Sequence, residues 1–166
     1  MKTPNIGISA ENRQAIADQL AKILADEFVL YSKILNFHWN IESQDFHTVH
    51  LYLETLYEEQ QEIVDTVAEK IRMLGHYVPA TLKNYLQLTH LTEQTKGAND
   101  SQSIFAELLE DHESIIVFLR EEIKPIADQW KAEGISDYIT GLMEQHEKTA
   151  WMLRSHLVPQ YHEATY

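Results

Sequence analysis

Apolar residues recur at intervals of three and four along most of this chain, and that spacing predicts helices. Ser9 is a fair N-cap with Glu11 in the first turn behind it. Ile16, Leu20, Ile23, Leu24, Phe28, Tyr31, Ile34 and Leu35 then fall on one face. The stripe predicts a first helix of about 28 residues with a core-facing side. A second stripe, Phe46, Val49, Leu53, Leu56, Ile63, Val67, Ile71 and Leu74, predicts a helix capped at Ser43 and ended by Gly75. Residues 76–98 break the pattern with Pro79, Gly97 and many polar residues, although Tyr85, Leu86, Leu88 and Leu91 predict a short apolar helix inside this connection. Asn99, Asp100 or Ser101 caps a third long helix, whose stripe is Ile104, Leu108, Leu109, Ile115, Ile116 and Leu119. Pro125 kinks or interrupts it. Gly134 breaks the run, and Ser136 is read as the cap of a fourth helix carrying Ile139, Leu142, Met143, Ala150, Leu153 and Leu157, which stops before Pro159.

Four long helices whose second connection is long enough to cross the bundle describe an all-α, ferritin-like four-helix bundle with a short helix in the crossover. The organisation expected is a loose arm over residues 1–8, the bundle over residues 9–158 and a tail over residues 159–166. The tail has no Lys or Arg.

Composition narrows the function. The chain has 166 residues, 26 acidic against 13 basic, for a formal net charge of −13. This argues against a dominant phosphate-binding role, which rests on Lys and Arg, and agrees with cation handling. There is no Cys. No apolar run reaches membrane-spanning length and no signal-like segment opens the chain, so a cytoplasmic protein is expected.

The candidate chemistry lies between His38 and Glu69. His50 and Glu54 are spaced i,i+4 on the second helix, and so are Asp65 and Glu69. Each pair shares a face, with its members roughly 6 Å apart. Imidazole with carboxylate suits iron, zinc or manganese. Acidic residues on a long helix are ordinarily a solvated face, but Asp65 and Glu69 are like charges one turn apart, a repulsion that a cation such as a metal or Arg72 relieves. Asp65 lies three turns beyond Glu54, roughly 16 Å along the axis, so one helix cannot bring both pairs to one ion. The two pairs sit symmetrically about the midpoint between residues 59 and 60. A two-fold axis there would set Glu54 of one copy beside Asp65 of another, and His50 opposite Glu69, building two identical sites in an isologous dimer. His38, at the end of the first helix, can come near His50 as a third ligand. None of the nine His has Glu three residues before it, so the Glu-x-x-His motif of in-bundle di-iron sites is missing.

This ligand set resembles that of the Dps proteins, the mini-ferritin family named for DNA-binding proteins from starved cells. The matching residues are His38-Trp39, His50 twelve positions on, position 54, and Asp65 and Glu69 within DTVAEKIRMLG; HEKTAWMLRSHL at 146–157 resembles the family's last helix. The resemblance runs from about residue 10 to residue 158 and implies a hollow shell of twelve subunits. It implies ferroxidase sites between two-fold-related chains, with His38, His50 and Glu54 from one and Asp65 and Glu69 from the other. It further implies Fe(II) and hydrogen peroxide as substrates, ferric iron as cargo and no organic cofactor. Two positions depart from the family: Glu54 where Asp is usual, and Leu51 where Glu is often found after the second His. The resemblance also places acids near a three-fold passage for iron, here Asp128, Glu133 and Asp137. Trp39 and Trp151 are expected near the site as core packing, and His47 and His112 on the surface.

Two other functions compete. One is a DNA-binding and DNA-compacting shell; direct binders use a Lys/Arg-rich arm, whereas this chain has only Lys2 before residue 13 and no Lys or Arg after Arg154. The other is an interaction bundle whose metal site has lapsed, with Glu54 as the sign of it.

Overall fold

The computed structural model describes residues 3–93 and 97–157, and among these every regular element is helical. In chain order they are α1 (Ala10–Asn40), α2 (Phe46–Met73), α3 (Leu82–Leu88), α4 (Ser101–Lys124), a π turn (Pro125–Gln129) and α5 (Glu133–His156). Short links fold α1 against α2 and α4 against α5, while the long crossover lays α3 on α1, and α1 also meets α4. The expected bundle with a helix in its second connection is the observed architecture. Lys2 and the tail over residues 159–166 lie outside the described residues.

The helix ends follow local chemistry. Ser9 Oγ accepts the amide of Asn12 at 3.1 Å, the expected cap of α1. Of the three candidates for α4, Asp100 is the cap, accepting the Ser103 amide at 3.0 Å and the Ser103 hydroxyl at 2.7 Å. Those bonds favour the charged carboxylate and hold its pKa below the usual value. Gly75, at φ +92°, closes α2 as predicted. Its amide reaches Arg72 O at 2.9 Å and that of His76 reaches Ile71 O at 3.3 Å, a Schellman pair that a side chain at Gly75 would strain.

Two starts differ from the expected ones. α2 begins at Phe46, not after Ser43: Ser43 Oγ donates to the Asp45 carboxylate and accepts the Asp45 amide at 3.4 Å, and Ser43 O takes the Phe46 amide at 3.1 Å, so residues 43–45 close a turn ahead of the helix. α5 begins at Glu133, three residues before Ser136. Gly134 is tolerated there because first-turn amides need no intrahelical partner, and Ala132 O accepts the amides of Ile135 and Ser136, both at 3.0 Å. Pro125 interrupts α4 as expected. Lacking an N–H, it ends the α-helical ladder, and its carbonyl accepts from Trp130 five residues on at 3.1 Å.

The core is the sum of the stripes: Leu20, Leu24, Leu30, Leu53, Ile104, Leu108, Leu119 and Ile139 are fully buried, with Phe37 and Phe105 the largest side chains inside. Burying each such residue contributes about 1.5–3 kcal/mol. The crossover is pinned by polar contacts. Asp26 of α1, 1% exposed, accepts the Thr89 hydroxyl and the His90 amide, each at 2.6 Å, and its second oxygen meets His90 Nδ1 at 3.1 Å. Lys33 ties α1 to α4 through Glu107 at 3.0 Å and Asp111 at 2.5 Å, all three buried. Burial outweighs Lys33 at Asp111 and raises its pKa.

Candidate metal centre

The end of α1 and the start of α2 are joined by a link that holds two imidazoles face to face. Ile41 is buried in it, and its amide bonds to Phe37 O at 2.9 Å, while Glu42 N reaches across to Asn99 O at 2.8 Å. The rings of His38 and His50 stack with centroids 3.8 Å apart and planes 19° apart. Each is tied to the other's backbone: His38 Nδ1 lies 3.0 Å from His50 O, and His50 Nδ1 lies 2.9 Å from His38 O. A carbonyl only accepts, so each Nδ1 is the donor. Neutral rings in that tautomer keep the Nε2 lone pair bare, which is the form that binds metal. Backbone carbonyls thus fix the orientation of both imidazoles, as outer-sphere groups do for metal-ligating histidines.

Aromatic side chains frame the pair. Phe46 stacks on His50 at 5.0 Å, and Tyr57 meets His38 edge-on at 5.1 Å. Phe46 was expected wholly in the core stripe; it is 46% exposed because its ring covers His50. Glu54 lies one turn beyond His50, and its Oε1 is 3.5 Å from the Tyr57 hydroxyl, a long contact. Burial first and the Glu54 carboxylate second push the Tyr57 phenol above its ordinary pKa. His38, His50 and Glu54 are therefore gathered at one end of α2. Asp65 and Glu69 are exposed on the same helix, on the far side of its midpoint. Within one chain, no three or more of the described His, Asp and Glu are placed to hold one metal ion. Arg72, the cation considered for Asp65 and Glu69, donates to His76 O at 2.9 Å and lies over the Tyr77 ring at 4.6 Å.

The acids expected at a passage, Asp128, Glu133 and Asp137, are exposed around the turn into α5, and Asp128 pairs with Lys124 at 2.7 Å. His47 is exposed as expected. Trp39 and Trp151 are not core residues: they are 70% and 61% exposed. Trp39 occupies the last turn of α1 next to His38, where the helix face leaves the stripe.

His112 is the clearest correction. Its acidic neighbours suggested a surface position, yet it is 3% exposed. It stands four residues after Leu108 and three before Ile115, so helical periodicity turns it inward. There it joins a polar cluster that sequence reasoning missed, with one residue from each long helix. Glu27 of α1, Gln60 of α2 and His146 of α5 are the others, each 3% exposed or less. All four occupy stripe positions, and a polar residue interrupting an apolar stripe was the available signal. Gln60 Nε2 donates to the Glu27 carboxylate and, at 3.2 Å, to Glu27 O. His146 Nε2 lies 3.1 Å from Glu27 Oε1, and the Nδ1 atoms of His146 and His112 are 2.8 Å apart. Burial, and then His146, drive the His112 pKa well below the ordinary value. Burial, and then Glu27, raise the Tyr138 phenol. A cleft of about 570 Å³ between α2 and α5 is lined by Tyr52, Glu59, Gln60, His112, Tyr138 and His146, among others.

No described helix is long and apolar enough to cross a membrane. Residues 17–159 match the ferritin-like domain family. The chain is 37% identical over 141 residues to the DNA protection during starvation protein of Helicobacter pylori, covering 83% of this chain and 95% of that one. It is 36% identical over 156 residues to a low temperature-induced protein of Nostoc sp., covering 94% and 87%. The solved Dps protein of Vibrio cholerae aligns over 93% of this chain and 96% of its own, at 27% identity and a TM-score of 0.86. Bundle, crossover helix and these likenesses agree: the chain belongs to the Dps family of ferritin-like proteins.

Proposed function

We propose that this protein binds Fe(II), oxidises it preferentially with hydrogen peroxide, and stores the ferric product inside a shell of twelve chains. Each site is read as shared by two chains, with His38, His50 and Glu54 from one and Asp65 and Glu69 from its two-fold mate. The observation that carries this reading is the stacked His38–His50 pair, whose Nδ1 atoms are both committed to backbone carbonyls and whose Nε2 atoms are both bare. Such a pair awaits a metal, but two imidazoles and Glu54 lack the acids a ferric product needs. The nearest symmetric source is a second α2, with Asp65 and Glu69 equally far from the midpoint. The solved Vibrio cholerae relative is described as a member of a superfamily of ferritin-like diiron-carboxylate proteins, in keeping with iron as the substrate.

The chemistry follows from the ligand types. Neutral imidazoles and ionised carboxylates take ferrous iron at neutral pH, and protons compete for the same atoms. Carboxylates favour the harder ferric ion. One peroxide accepts one electron from each of two ferrous ions, its O–O bond breaks, and two protons from solvent complete two waters; pairing the irons avoids releasing a hydroxyl radical. Glu54, one methylene longer than the usual Asp, still lies beside the pair with its carboxylate near Tyr57. Asp128, Glu133 and Asp137 are proposed to line the route by which iron enters. Removing iron and peroxide protects DNA without touching it, and a chain of net charge −13 has little to offer phosphates; a gel shift across salt concentrations checks this.

The test is anaerobic Fe(II) titration of the metal-free protein, followed by stoichiometric peroxide and ferric absorbance. Oxidation much faster than in buffer, lost in both His50→Ala and Asp65→Ala, is the expected result. Native protein no faster than buffer would leave a shell or an interaction bundle instead.

A further inference from the structure

The geometry points to a second metal site, inside the bundle of each single chain and independent of the shared one: we propose that the facing Nδ1 atoms of His112 and His146 hold one divalent transition-metal ion, with Glu27 as its outer-sphere carboxylate. Both imidazoles are at least 97% buried, with 3% and 2% exposure, and they come from different helices, α4 and α5. Their Nδ1 atoms lie 2.8 Å apart. Two imidazole nitrogens each about 2.0–2.1 Å from a zinc-sized ion in tetrahedral geometry lie about 3.3 Å apart, so the rings need to part by only about 0.5 Å.

The rest of the cluster is built as such an ion requires. A ligand histidine ordinarily gives its other N–H to a carboxylate, which fixes its tautomer and raises its basicity. His146 Nε2 faces Glu27 Oε1 at 3.1 Å, and Glu27 is in turn held by the Gln60 amide. With its Nε2–H on Glu27, His146 presents a bare Nδ1 to His112. Without an ion, His112 must fill that gap with its own Nδ1–H. Its Nε2 has no hydrogen-bond partner among the described residues in either state, as a bare acceptor without the ion or as the N–H of a metal-bound ring with it. Glu27 itself, fully buried, faces the neutral Gln60 amide and the His146 ring, and a cation beyond His146 would supply its countercharge. The cleft between α2 and α5 reaches both imidazoles and gives the ion a path and solvent ligands. Tyr52 Oη, on the same wall, is a second buried atom without a partner among the described residues. Two imidazoles with solvent suit a borderline ion such as Zn2+ or Co2+ and not a hard Mg2+ or Ca2+.

Co2+ is the probe, with the full chain in its native assembly carrying His50→Ala and Asp65→Ala to silence the shared site. We expect one Co2+ per chain at neutral pH, and X-ray absorption showing two imidazole nitrogens at about 2.0–2.1 Å. Adding His146→Gln abolishes uptake. Adding Glu27→Gln, which keeps the ligands, weakens it about 10–100-fold. Circular dichroism confirms that each variant is helical, and the absorption measurement stands even where a core variant fails to fold. Uptake below about one-tenth of an ion per chain in the His50→Ala, Asp65→Ala protein, or bound cobalt without imidazole ligands, overturns the proposal and leaves the cluster a hydrogen-bonded core network.

Discussion

If each iron site draws on two chains, two dead variants must rescue one another by a calculable amount. His50→Ala removes an imidazole from one end of a chain's α2, and Asp65→Ala removes a carboxylate from beyond its midpoint. The positions are 15 residues apart, about 22 Å along the axis, and cannot serve one ion within one chain. In an isologous pair each variant alone spoils both sites. In a mixed pair, one site combines both lesions while the other combines the intact His50 of one chain with the intact Asp65 of its mate. Equal amounts unfolded together and refolded pair at random, so about half of the contacts are mixed and each carries one good site of two. The mixture should therefore oxidise iron at about a quarter of the native rate per chain, from parents near zero. The assay is the initial rise of ferric absorbance after peroxide is added to anaerobic, Fe(II)-loaded protein. A mixture no faster than the mean of its parents would refute the shared site, as would Asp65→Ala chains that oxidise at the native rate alone.

Three further outcomes follow from the packing. The unfolded His112 takes up a proton near pH 6.5 while the buried ring stays neutral well below that, so the unfolded state binds more protons in that window and stability falls as pH drops below 6.5. The loss is about 1.4 kcal/mol per pH unit until the native ring titrates, and urea midpoints at pH 7.5 and 5.5 should show it in the native protein but not in His112→Leu. Phe105→Ala empties one of the largest fully buried positions and should cost about 3–5 kcal/mol in urea unfolding; a change below about 1 kcal/mol would mean that the core closes over the gap. Asp26→Ala strands the partly buried amide of His90 and hydroxyl of Thr89, and should speed hydrogen exchange across Leu82–Leu88 and residues 89–91 while leaving α5 protected.

Much of the fold was legible because helical stripes are a local property. Ser9, Gly75 and Asp100 act as caps or stops through their own side chains or their lack of one, and the long second connection had to cross the bundle. Where the boundaries moved, a neighbour decided: Ser43 turned to Asp45, and Ala132 accepted the first amides of α5. The placement of His50 and Glu54 one turn apart on α2, and the distance along the axis to Asp65 and Glu69, were likewise readable from the rise of a helix.

The tertiary structure decided what lies between helices. No periodicity could say that His38 and His50 would exchange hydrogen bonds with each other's backbone, because that depends on how the link over residues 41–45 sets two helix ends at contact distance. Nor could it assemble Glu27, Gln60, His112 and His146, which are separated by up to 119 positions and meet only when four helices close around one axis. The chain by itself determined which face of each helix turns inward, since burial of apolar surface follows the period of the helix. Which polar groups then meet inside, and in which protonation state, was decided by the packed bundle, where each buried donor and acceptor must find its partner among whatever side chains the other helices bring.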